Sequence, residues 1–295
     1  MTHTERPEST PITSPRSDRV RQIASLSGRS ARRRTGLLRA EGPQAVRSLV
    51  DDRPDLAREV FATDTAAAAH PEILDAARAA GIRVRGVTDE VLAAMVRGGD
   101  ATARDGEPAG QQDVVSPQGI LAVAARPEAD WRSALAALPA DGPVTVAVMA
   151  ETQDPGNAGT IIRTADAAGA DLVILGAGST DPFAPKAVRS SAGSVFHLPV
   201  AARADLAALL PALAERGITA AATSGHADAD LFATALPQRI AWILGNEARG
   251  LPEAVLADAP LAMRIPLEGR AESLNVAIAA TLCLFESLRR RGSTA

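Results

Sequence analysis

Short apolar runs alternate with helical patterns of apolar residues through the second half of the chain. Strands that are buried on both faces form continuous apolar runs, and their alternation with helices is typical of a parallel sheet. The pattern therefore predicts an α/β domain built on a parallel sheet. Its predicted strands are 144–149, 171–175, 195–200, 218–223, 240–244 and 261–265, and its predicted helices are 158–168, 186–191, 204–216 and 274–290.

A weaker alternation of strand-like and helix-like segments precedes it and predicts a smaller α/β domain. Gly81 is a typical C-cap after one predicted helix, and either Thr88 or Asp89 caps the next. The predicted helices of this region are 20–26, 43–49, 71–80 and 89–98, and its predicted strands are 37–41, 58–63, 82–87 and 120–124.

Two segments without apolar periodicity and one domain junction divide the chain. The first segment carries Pro7, Pro11 and Pro15 among serines and threonines, which favours disorder. The segment 98–113 is rich in Gly, Asp and Gln, which predicts a mobile loop. The junction, 127–142, contains one short predicted helix and ends in Ala-Asp-Gly-Pro at 140–143. We therefore predict a disordered tail at 1–17, a first domain at 18–126, a linker at 127–142 and a second domain at 143–295.

The composition is that of an ordinary globular protein, since 46% of the 295 residues are hydrophobic and 22% are charged. The longest apolar runs, such as 240–244, fall far short of the ~20 residues of a membrane-spanning helix, so we expect no membrane partner. No secretory signal pattern opens the chain, and we expect a cytoplasmic protein. The single cysteine, Cys283, lies in an apolar helical pattern and is expected to be a buried, unreactive thiol.

Positive charge is concentrated near the start of a chain whose formal net charge is −4. Between residues 16 and 39 eight arginines stand against one aspartate, which is a local charge of 8 − 1 = +7. Such a cluster is typical of a surface that binds phosphate groups, although a solvated helix face gives the same pattern. The candidate phosphate contacts in this stretch are Arg32, Arg33 and Arg34.

Several common sites are missing from the sequence. There is no Gly-Lys-Ser/Thr phosphate loop and no Gly-x-Ser-x-Gly elbow. The four histidines lack metal-ligand spacing and one cysteine cannot complete a zinc site, so we expect no metal. Gly176-Ala177-Gly178 follows a predicted strand, but a dinucleotide fingerprint needs a third glycine and an uninterrupted helix, and prolines follow here.

Asn157 and Arg163 are the first candidates for chemistry. The Pro-Gly-Asn sequence at 155–157 predicts a turn, in which Asn157 can cap the helix that follows. Arg163 lies six residues further along, between apolar residues. An arginine in that position either extends along the apolar surface to reach water or is held for a function, and the residues alone leave both possibilities open.

The second candidate follows the apolar strand 240–244, where Gly245, Asn246 and Glu247 come directly after it. Ligands of open α/β sheets bind beyond the carboxyl ends of the strands, so this position predicts a site. Gly245 has no side chain, and we expect a ligand to approach its backbone closely.

The third candidate is the segment that leads from Ile265-Pro266-Leu267 into the last predicted helix. Ser273 is a suitable cap for that helix. Capping by Ser273 does not explain Asn275, which would then lie in the first turn, because asparagine is a poor residue in a helix interior.

At these three places the chain resembles the SpoU (TrmH) family of the SPOUT RNA 2′-O-ribose methyltransferases. The family's Asn with an Arg six residues later is similar to Asn157 and Arg163. Its Gly-Asn-Glu followed by a Gly is similar to 245–250, and its Ile-Pro followed by Ser-Leu-Asn-Val is similar to 265–276.

The first domain more loosely resembles the ribosomal-protein L30e-like substrate-binding domain that is often fused to this family, because Leu38 to Gly42 with Pro43, and Pro117-Gln118-Gly119 before a strand, are similar to its ends. This resemblance implies an RNA-binding module, in which Arg32, Arg33 and Arg34 are the candidate RNA contacts.

The resemblance implies an S-adenosylmethionine-dependent enzyme that methylates a ribose 2′-hydroxyl, with ribosomal RNA a better candidate than transfer RNA. It also implies a homodimer and a deep trefoil knot in the C-terminal domain. The implied catalytic residues are Asn157, Arg163, Glu247, Ser273 and Asn275, and the implied cofactor-binding residues are Thr223, Ser224, Gly225, Leu244, Gly245, Asn246, Ile265, Leu267, Ser273 and Leu274.

Two other functions stay open on the sequence. One is a non-catalytic RNA-binding protein that keeps the knotted domain, against which the complete set of five catalytic candidates argues. The other is an NAD-type oxidoreductase.

In the family the counterpart of Arg163 is proposed as the base, but the pKa of a guanidinium lies above ~12. Polarising the 2′-oxygen or holding a phosphate is physically easier for Arg163.

Overall fold

The structure, a computed structural model, describes residues 11–97, 118–246 and 249–292. The predicted loop at 98–113, the first ten residues of the predicted tail and the catalytic candidate Glu247 lie outside the described residues. The chain divides into two compact units, of which the first comprises Met1–Arg126 with Phe183–Arg189 and the second comprises Pro127–Pro182 with Ser190–Ala295.

The region up to Arg126 contains each helix and strand predicted for it, within three residues at either end. Two helices, α2 and α4, were not predicted, because their arginine-rich and alanine-rich sequences lack an apolar stripe. The helices are α1 (Asp18–Ala24), α2 (Arg29–Thr35), α3 (Pro43–Asp52), α4 (Asp64–Ala69), α5 (Pro71–Ala79) and α6 (Asp89–Val96), and the strands are β1 (Leu37–Glu41), β2 (Ala57–Ala62), β3 (Arg83–Gly86) and β4 (Ile120–Ala125).

A mixed sheet in the order β1-β4-β2-β3 organises the first unit. β4 runs antiparallel to both β1 and β2, while β2 and β3 are parallel. Leu121 and Val123 of β4 pack with α1 and α6 in one apolar cluster, and α3 contacts the same strand. Of the two candidate caps of α6, Thr88 is the one whose side chain accepts a hydrogen bond, from the backbone nitrogen of Val91.

The rest of the chain alternates strands and helices. All its elements belong to the second unit except α9, which lies in the first unit through Arg189. The helices are α7 (Trp131–Ala136), α8 (Pro155–Ala167), α9 (Pro185–Ser190), α10 (Leu206–Glu215), α11 (Glu253–Asp258) and α12 (Val276–Gly292), and the strands are β5 (Glu128–Ala129), β6 (Val144–Met149), β7 (Leu172–Gly176), β8 (Val200–Ala204), β9 (Thr219–Thr223), β10 (Ala229–Asp230), β11 (Arg239–Leu244) and β12 (Leu261–Arg264).

An eight-stranded sheet in the order β10-β12-β9-β11-β6-β7-β8-β5 forms the centre of the second unit, and its strand pairs are all parallel. The prediction of a parallel α/β domain is therefore confirmed. Its central strands are buried because helices cover them, as Trp242 and Ile243 of β11 show. Leu244 pairs with Met149, so β11 and β6 end together and the segments that follow them start side by side.

The strand predicted at 195–200 is wrong. The structure has a 3₁₀ turn at Ser194–Phe196, and the strand β8 begins only at Val200. Val195 and Phe196 are buried, and α8 contacts this turn. A short apolar run has the same composition in a buried turn as in a buried strand, so periodicity does not distinguish them.

The segment 127–142, predicted as a linker, contributes to the core of the second unit. Its strand β5 pairs with β8 at the edge of the large sheet. Trp131 and Leu135 of α7 are buried in the apolar cluster that covers this sheet.

Cys283 lies in α12 and is 1% exposed, as expected from its apolar surroundings. Burial raises the pKa of its thiol to about 12, which keeps the thiol protonated at neutral pH and makes it a poor nucleophile. Within the described residues, no helix is long and apolar enough to cross a membrane.

Candidate active site

A cavity of about 460 Å³ opens at the carboxyl ends of β9, β11 and β12. This is the edge at which open α/β sheets bind their ligands. The cavity contains nine of the ten residues that the sequence assigned to cofactor binding. These nine are Thr223, Ser224, Gly225, Gly245, Asn246, Ile265, Leu267, Ser273 and Leu274.

Leu244 is the candidate that does not line the cavity. Its side chain is completely buried, and its backbone oxygen accepts a hydrogen bond from the backbone nitrogen of Ala150 at 2.9 Å. Leu244 thus belongs to the core of the sheet, and its assignment to the cofactor stays a prediction of the sequence.

The loop after β11 folds back on itself. The backbone nitrogen of Asn246 donates to the oxygen of Gly250 at 2.9 Å, and the nitrogen of Gly250 donates to the oxygen of Asn246 at 2.8 Å. Gly250 has a φ of +67°, which a glycine adopts without strain.

Gly245 is needed for a different reason from the one expected. A Cβ atom on Gly245 would lie 2.6 Å from the backbone carbon of Gly250 and 2.8 Å from the backbone nitrogen of Leu251. The expectation that a ligand occupies the space beside Gly245 is therefore corrected, because the returning loop fills that space.

The side chain of Asn246 anchors this loop to the end of β6. Its Nδ2 donates to the backbone oxygen of Glu151 at 3.0 Å, and its Oδ1 accepts from the backbone nitrogen of Arg249 at 3.2 Å. Asn246 therefore lines the cavity but has a structural role in shaping its wall.

The first turn of α12 is capped by Asn275 and not by Ser273, the residue that the sequence favours. The Oδ1 of Asn275 accepts a hydrogen bond from the backbone nitrogen of Ala277 at 2.8 Å, which is the geometry of an N-cap side chain. This position also explains how an asparagine is tolerated there, since a cap residue lies outside the helix interior. Ser273 instead lines the cavity two residues earlier.

Asp154, and not Asn157, caps α8. The Oδ1 of Asp154 accepts from the backbone nitrogen of Asn157 at 3.0 Å, which places Asn157 in the first turn of the helix. The side-chain oxygen of Asn157 accepts from the Nδ2 of Asn275 at 3.2 Å. The first and third sequence motifs therefore meet directly, next to the cavity residues Leu274 and Val276.

Arg163 lies apart from these residues. It is exposed on α8, and six residues of helix separate it from Asn157 by about 9 Å along the axis. In the described part of the chain Arg163 is not among the residues that line the cavity.

The cavity also contains residues that the sequence did not single out. Two of them carry a charge, Arg249 and Glu272, and both stand inside the motif segments 245–250 and 265–276, although neither was assigned a role there. Gly250 and Val276 are part of the motifs at 245–250 and 265–276, and the others lie outside the three motifs: His226, Leu251, Leu256, Met263 and Ala279.

The walls combine apolar surface with hydroxyl groups. Met263, Ile265 and Leu267 offer apolar surface, and a volume of about 460 Å³ is within the usual range for small-molecule sites. The hydroxyl of Thr223 donates to the backbone oxygen of Ile243 at 3.0 Å, which fixes this side chain at the cavity wall. The described residues contain no group of three or more His, Cys, Asp and Glu that could hold a metal ion.

The three arginines proposed to contact RNA differ in their surroundings. Arg32 is 2% exposed, and its Nη1 donates to the backbone oxygens of Leu26 at 2.8 Å and Ser27 at 2.5 Å. Arg33 and Arg34 are exposed on α2. The structure thus argues against a phosphate contact by Arg32, which stabilises the turn between α1 and α2.

The parallel sheet and the cavity at its carboxyl edge define an α/β protein of the open-sheet class with a small-molecule site. The sequence pattern described as the SpoU rRNA Methylase family matches residues 144–285. The chain belongs to this family, and the resemblance noted from its three motifs is confirmed.

Two proteins with similar sequences are named as RNA methyltransferases. The chain is 40% identical to the 23S rRNA (guanosine(2553)-2′-O)-methyltransferase RlmP of Bacillus subtilis over 170 residues, which are 58% of this chain and 64% of that protein. It is 31% identical to an uncharacterised tRNA/rRNA methyltransferase of Synechocystis over 280 residues, or 95% of this chain and 94% of that protein.

A solved structure shows the same fold over nearly the whole chain. It is the AdoMet-bound rRNA methyltransferase from Sinorhizobium meliloti, with a TM-score of 0.77 and 28% identity, covering 95% of this chain and 98% of that one. The α/β fold with its parallel eight-stranded sheet therefore agrees with that of a methyltransferase whose structure contains AdoMet.

Proposed function

We propose that this protein is an S-adenosylmethionine-dependent methyltransferase that acts on a ribose 2′-hydroxyl of ribosomal RNA. The observation that carries the proposal is the cavity at the carboxyl ends of β9, β11 and β12, beside the contact between Asn157 and Asn275. The names of the relatives support the reaction and the substrate class.

Residues of the cavity would hold the cofactor. Met263, Ile265 and Leu267 offer apolar surface to an adenine ring, and Ser224 and Ser273 offer hydroxyl groups. S-adenosylmethionine supplies, when bound, a methyl group that its sulfonium charge already activates. The chain itself then has to position the ribose and remove or polarise one proton.

Arg163, Asn157, Ser273 and Asn275 are the groups we assign to the ribose. A guanidinium in a protein stays protonated and cannot readily accept a proton, so Arg163 polarises the 2′-oxygen or holds the adjacent phosphate. Asn157 and Asn275 fix each other's amide planes through their hydrogen bond and thereby present their remaining polar atoms in a defined direction. Glu247 stays a prediction of the sequence.

A second copy of the chain completes this site in our proposal. Arg163 does not line the cavity of its own chain among the described residues, so a partner's arginine is needed there. An exposed apolar face on α12 fits a partner surface: Ile278 is 51% exposed and Phe285 is 43% exposed. α12 packs against α8, which carries Arg163, so the face and the arginine belong to adjacent helices.

Two finer features of the fold are also part of the proposal. The segment between β12 and α12 forms a trefoil knot. Two observations support this: β11 lies between β9 and β6 in the sheet, and the chain later returns so that α12 packs against β11 and β6. The first unit is an L30e-like RNA-binding domain, supported by its small mixed sheet covered by helices. The cytoplasmic location stays a prediction of the sequence.

A methyl-transfer assay tests the proposed function. The full chain is incubated with S-adenosylmethionine labelled in its methyl group and with 16S rRNA, 23S rRNA or tRNA transcribed in vitro, followed by nucleoside analysis. We expect label in a 2′-O-methylated nucleoside of rRNA. Label in tRNA alone would support the tRNA alternative, and RNA binding without transfer would support the non-catalytic one. Cofactor-dependent absorbance changes with NAD would favour the oxidoreductase.

A further inference from the structure

An ion pair joins the loop after β11 to the end of β6 at the rim of the cavity. The Nη2 of Arg249 donates to Oε2 of Glu151 at 2.6 Å. The side chain of Arg249 is 71% exposed and that of Glu151 is 38% exposed. Both groups therefore meet solvent, and Arg249 also lines the cavity.

The position of Glu151 is well defined although its carboxylate is accessible. Its Cγ would lie 3.2 Å from a Cβ atom on Gly178, so the glycine leaves room for the stem of Glu151. The backbone oxygen of Glu151 accepts from Nδ2 of Asn246 at 3.0 Å, which fixes the adjacent loop. Gly178 thus serves this contact, although its sequence context resembled part of a dinucleotide fingerprint.

Arg249 is well placed for a polyanion that crosses the mouth of the cavity. The described residues that line the cavity include one arginine, Arg249, and one carboxylate, Glu272. Met263, Ile265 and Leu267 give the cavity apolar surface, whereas the guanidinium of Arg249 is largely exposed to solvent. An RNA strand that offers one ribose to the cavity carries a phosphate on either side of that ribose, close to the rim.

We propose that Arg249 binds a backbone phosphate of the substrate RNA and that Glu151 holds its guanidinium in the RNA-free protein. The inference rests on the proposed function, because it assumes that RNA reaches this cavity. When RNA binds, a phosphate oxygen replaces the carboxylate of Glu151 as the acceptor. Neither side chain forms or breaks a covalent bond.

The exchange is energetically accessible. An exposed ion pair contributes little to stability, since water and salt screen it, so its loss is a small cost. A phosphate accepts two hydrogen bonds from the fork of a guanidinium, which a lysine does not reproduce. Glu151 in turn keeps the guanidinium pointed along the rim, so little side-chain freedom is lost on binding.

The test compares variants on the two sides of the ion pair. Full-length Arg249→Ala, Arg249→Lys and Glu151→Gln proteins are titrated with 23S rRNA transcribed in vitro, over about 50 to 200 mM salt, and with S-adenosylmethionine by calorimetry. Arg203→Ala is the matched control, because Arg203 of β8 forms a partly exposed ion pair with Glu128 of β5 at 3.0 Å, and neither residue is among the described residues that line the cavity. Circular dichroism verifies the fold of each variant.

We expect Arg249→Ala to bind RNA about three- to tenfold more weakly, as expected when one charge-assisted hydrogen bond at an exposed site is removed. Its slope of log affinity against log salt should fall in magnitude by about 0.7–0.9, the value for one phosphate contact. Arg249→Lys should recover only part of the affinity. Glu151→Gln should bind RNA as well as the wild type or more tightly, and all variants should keep the cofactor affinity.

Three results would overturn the proposal. If Arg249→Ala and Glu151→Gln weaken RNA and cofactor binding equally, the pair is only a brace for the loop. If Arg249→Ala loses cofactor affinity alone, the arginine serves the cofactor's carboxylate. If Arg249→Ala matches Arg203→Ala in affinity and salt slope, it contacts no phosphate. Failure of the proposed function is separate, because it would appear as a wild-type protein that transfers no methyl group.

Discussion

Asn275 donates a hydrogen bond to Asn157 at 3.2 Å, and the two residues lie 118 positions apart in the sequence. Asn275 uses its other side-chain atom, Oδ1, to cap α12 through the backbone nitrogen of Ala277. One amide group therefore fixes the start of α12 and connects it to the first turn of α8. Few side chains other than asparagine supply a donor and a cap acceptor at this length.

The two roles of Asn275 can be separated by substitution. Asn275→Asp keeps an effective N-cap acceptor but loses the amide donor, so we expect near wild-type thermal stability and a large loss of methyl transfer. Asn275→Ala should lose the cap as well, at a cost of about 1 kcal/mol in the free energy of unfolding. Ser273→Ala should leave stability unchanged, since Ser273 is not the cap. Equal activity of Asn275→Asp and wild type would refute the role given to the contact.

Gly245→Val should abolish binding of S-adenosylmethionine. Its side chain would collide with the backbone of Gly250 and Leu251, which cannot move without displacing the loop that walls the cavity. Gly269→Ala is the matched control, because a Cβ atom there meets nothing within 4 Å and Gly269 is not among the described residues that line the cavity. Calorimetry should give no binding for the first variant and nearly unchanged affinity for the second. Unchanged affinity in Gly245→Val would show that the loop does not shape the site.

Arg163 should be required for turnover and not for cofactor affinity. Arg163→Ala should lose orders of magnitude in rate, and Arg163→Lys should recover little, because an ammonium lacks the guanidinium fork.

If the partner supplies this residue, coexpressing Arg163→Ala with Asn275→Asp should restore activity. About half of the dimers would be mixed and each would hold one intact site, giving about one quarter of the wild-type rate. No restoration would place Arg163 in the site of its own chain.

The exposed face of α12 gives a separate test of the dimer. Ile278→Glu would place a charge in a buried interface, where an unpaired carboxylate is costly. We expect a dimer for the wild type and a monomer for Ile278→Glu by light scattering after size exclusion, together with loss of methyl transfer. Glu268→Gln, at an exposed residue before α12, is the control. A monomeric wild type that remains active would contradict the shared site.

The sequence predicted the parts of the molecule in which apolar pattern and local structure agree. The run of β11 and the polar residues after it placed the cavity correctly, because continuous apolar strands and their carboxyl ends follow simple rules. The sequence did not predict which residue caps α8 or α12, because each helix start offers two good cap residues. These are Asp154 and Asn157 for α8, and Ser273 and Asn275 for α12. Only the tertiary contact between Asn157 and Asn275 distinguishes the alternatives.

Charge was a poorer guide than pattern, because a cluster of arginines does not show which of them are buried. Arg39 is 4% exposed and donates to Glu41, and Arg19 donates to Glu59, so both are used inside the first unit. The same is true of Arg32. The local charge available to RNA is therefore smaller than the count along the sequence suggests.

Arg33 and Arg34 should bind RNA phosphates, whereas Arg32 should stabilise the fold. Replacing Arg33 and Arg34 with alanine should weaken rRNA binding and reduce the salt slope by about 0.7–0.9 for each phosphate that is no longer bound, with unchanged melting temperature and cofactor affinity. Arg32→Ala should instead lower stability by about 1–3 kcal/mol, because the buried oxygens of Leu26 and Ser27 lose their donor. Chemical denaturation and a salt titration on both proteins separate the two effects. A solvated arginine face with no function predicts identical salt slopes for Arg33→Ala/Arg34→Ala and wild type, and that result would end the assignment of α2 to RNA.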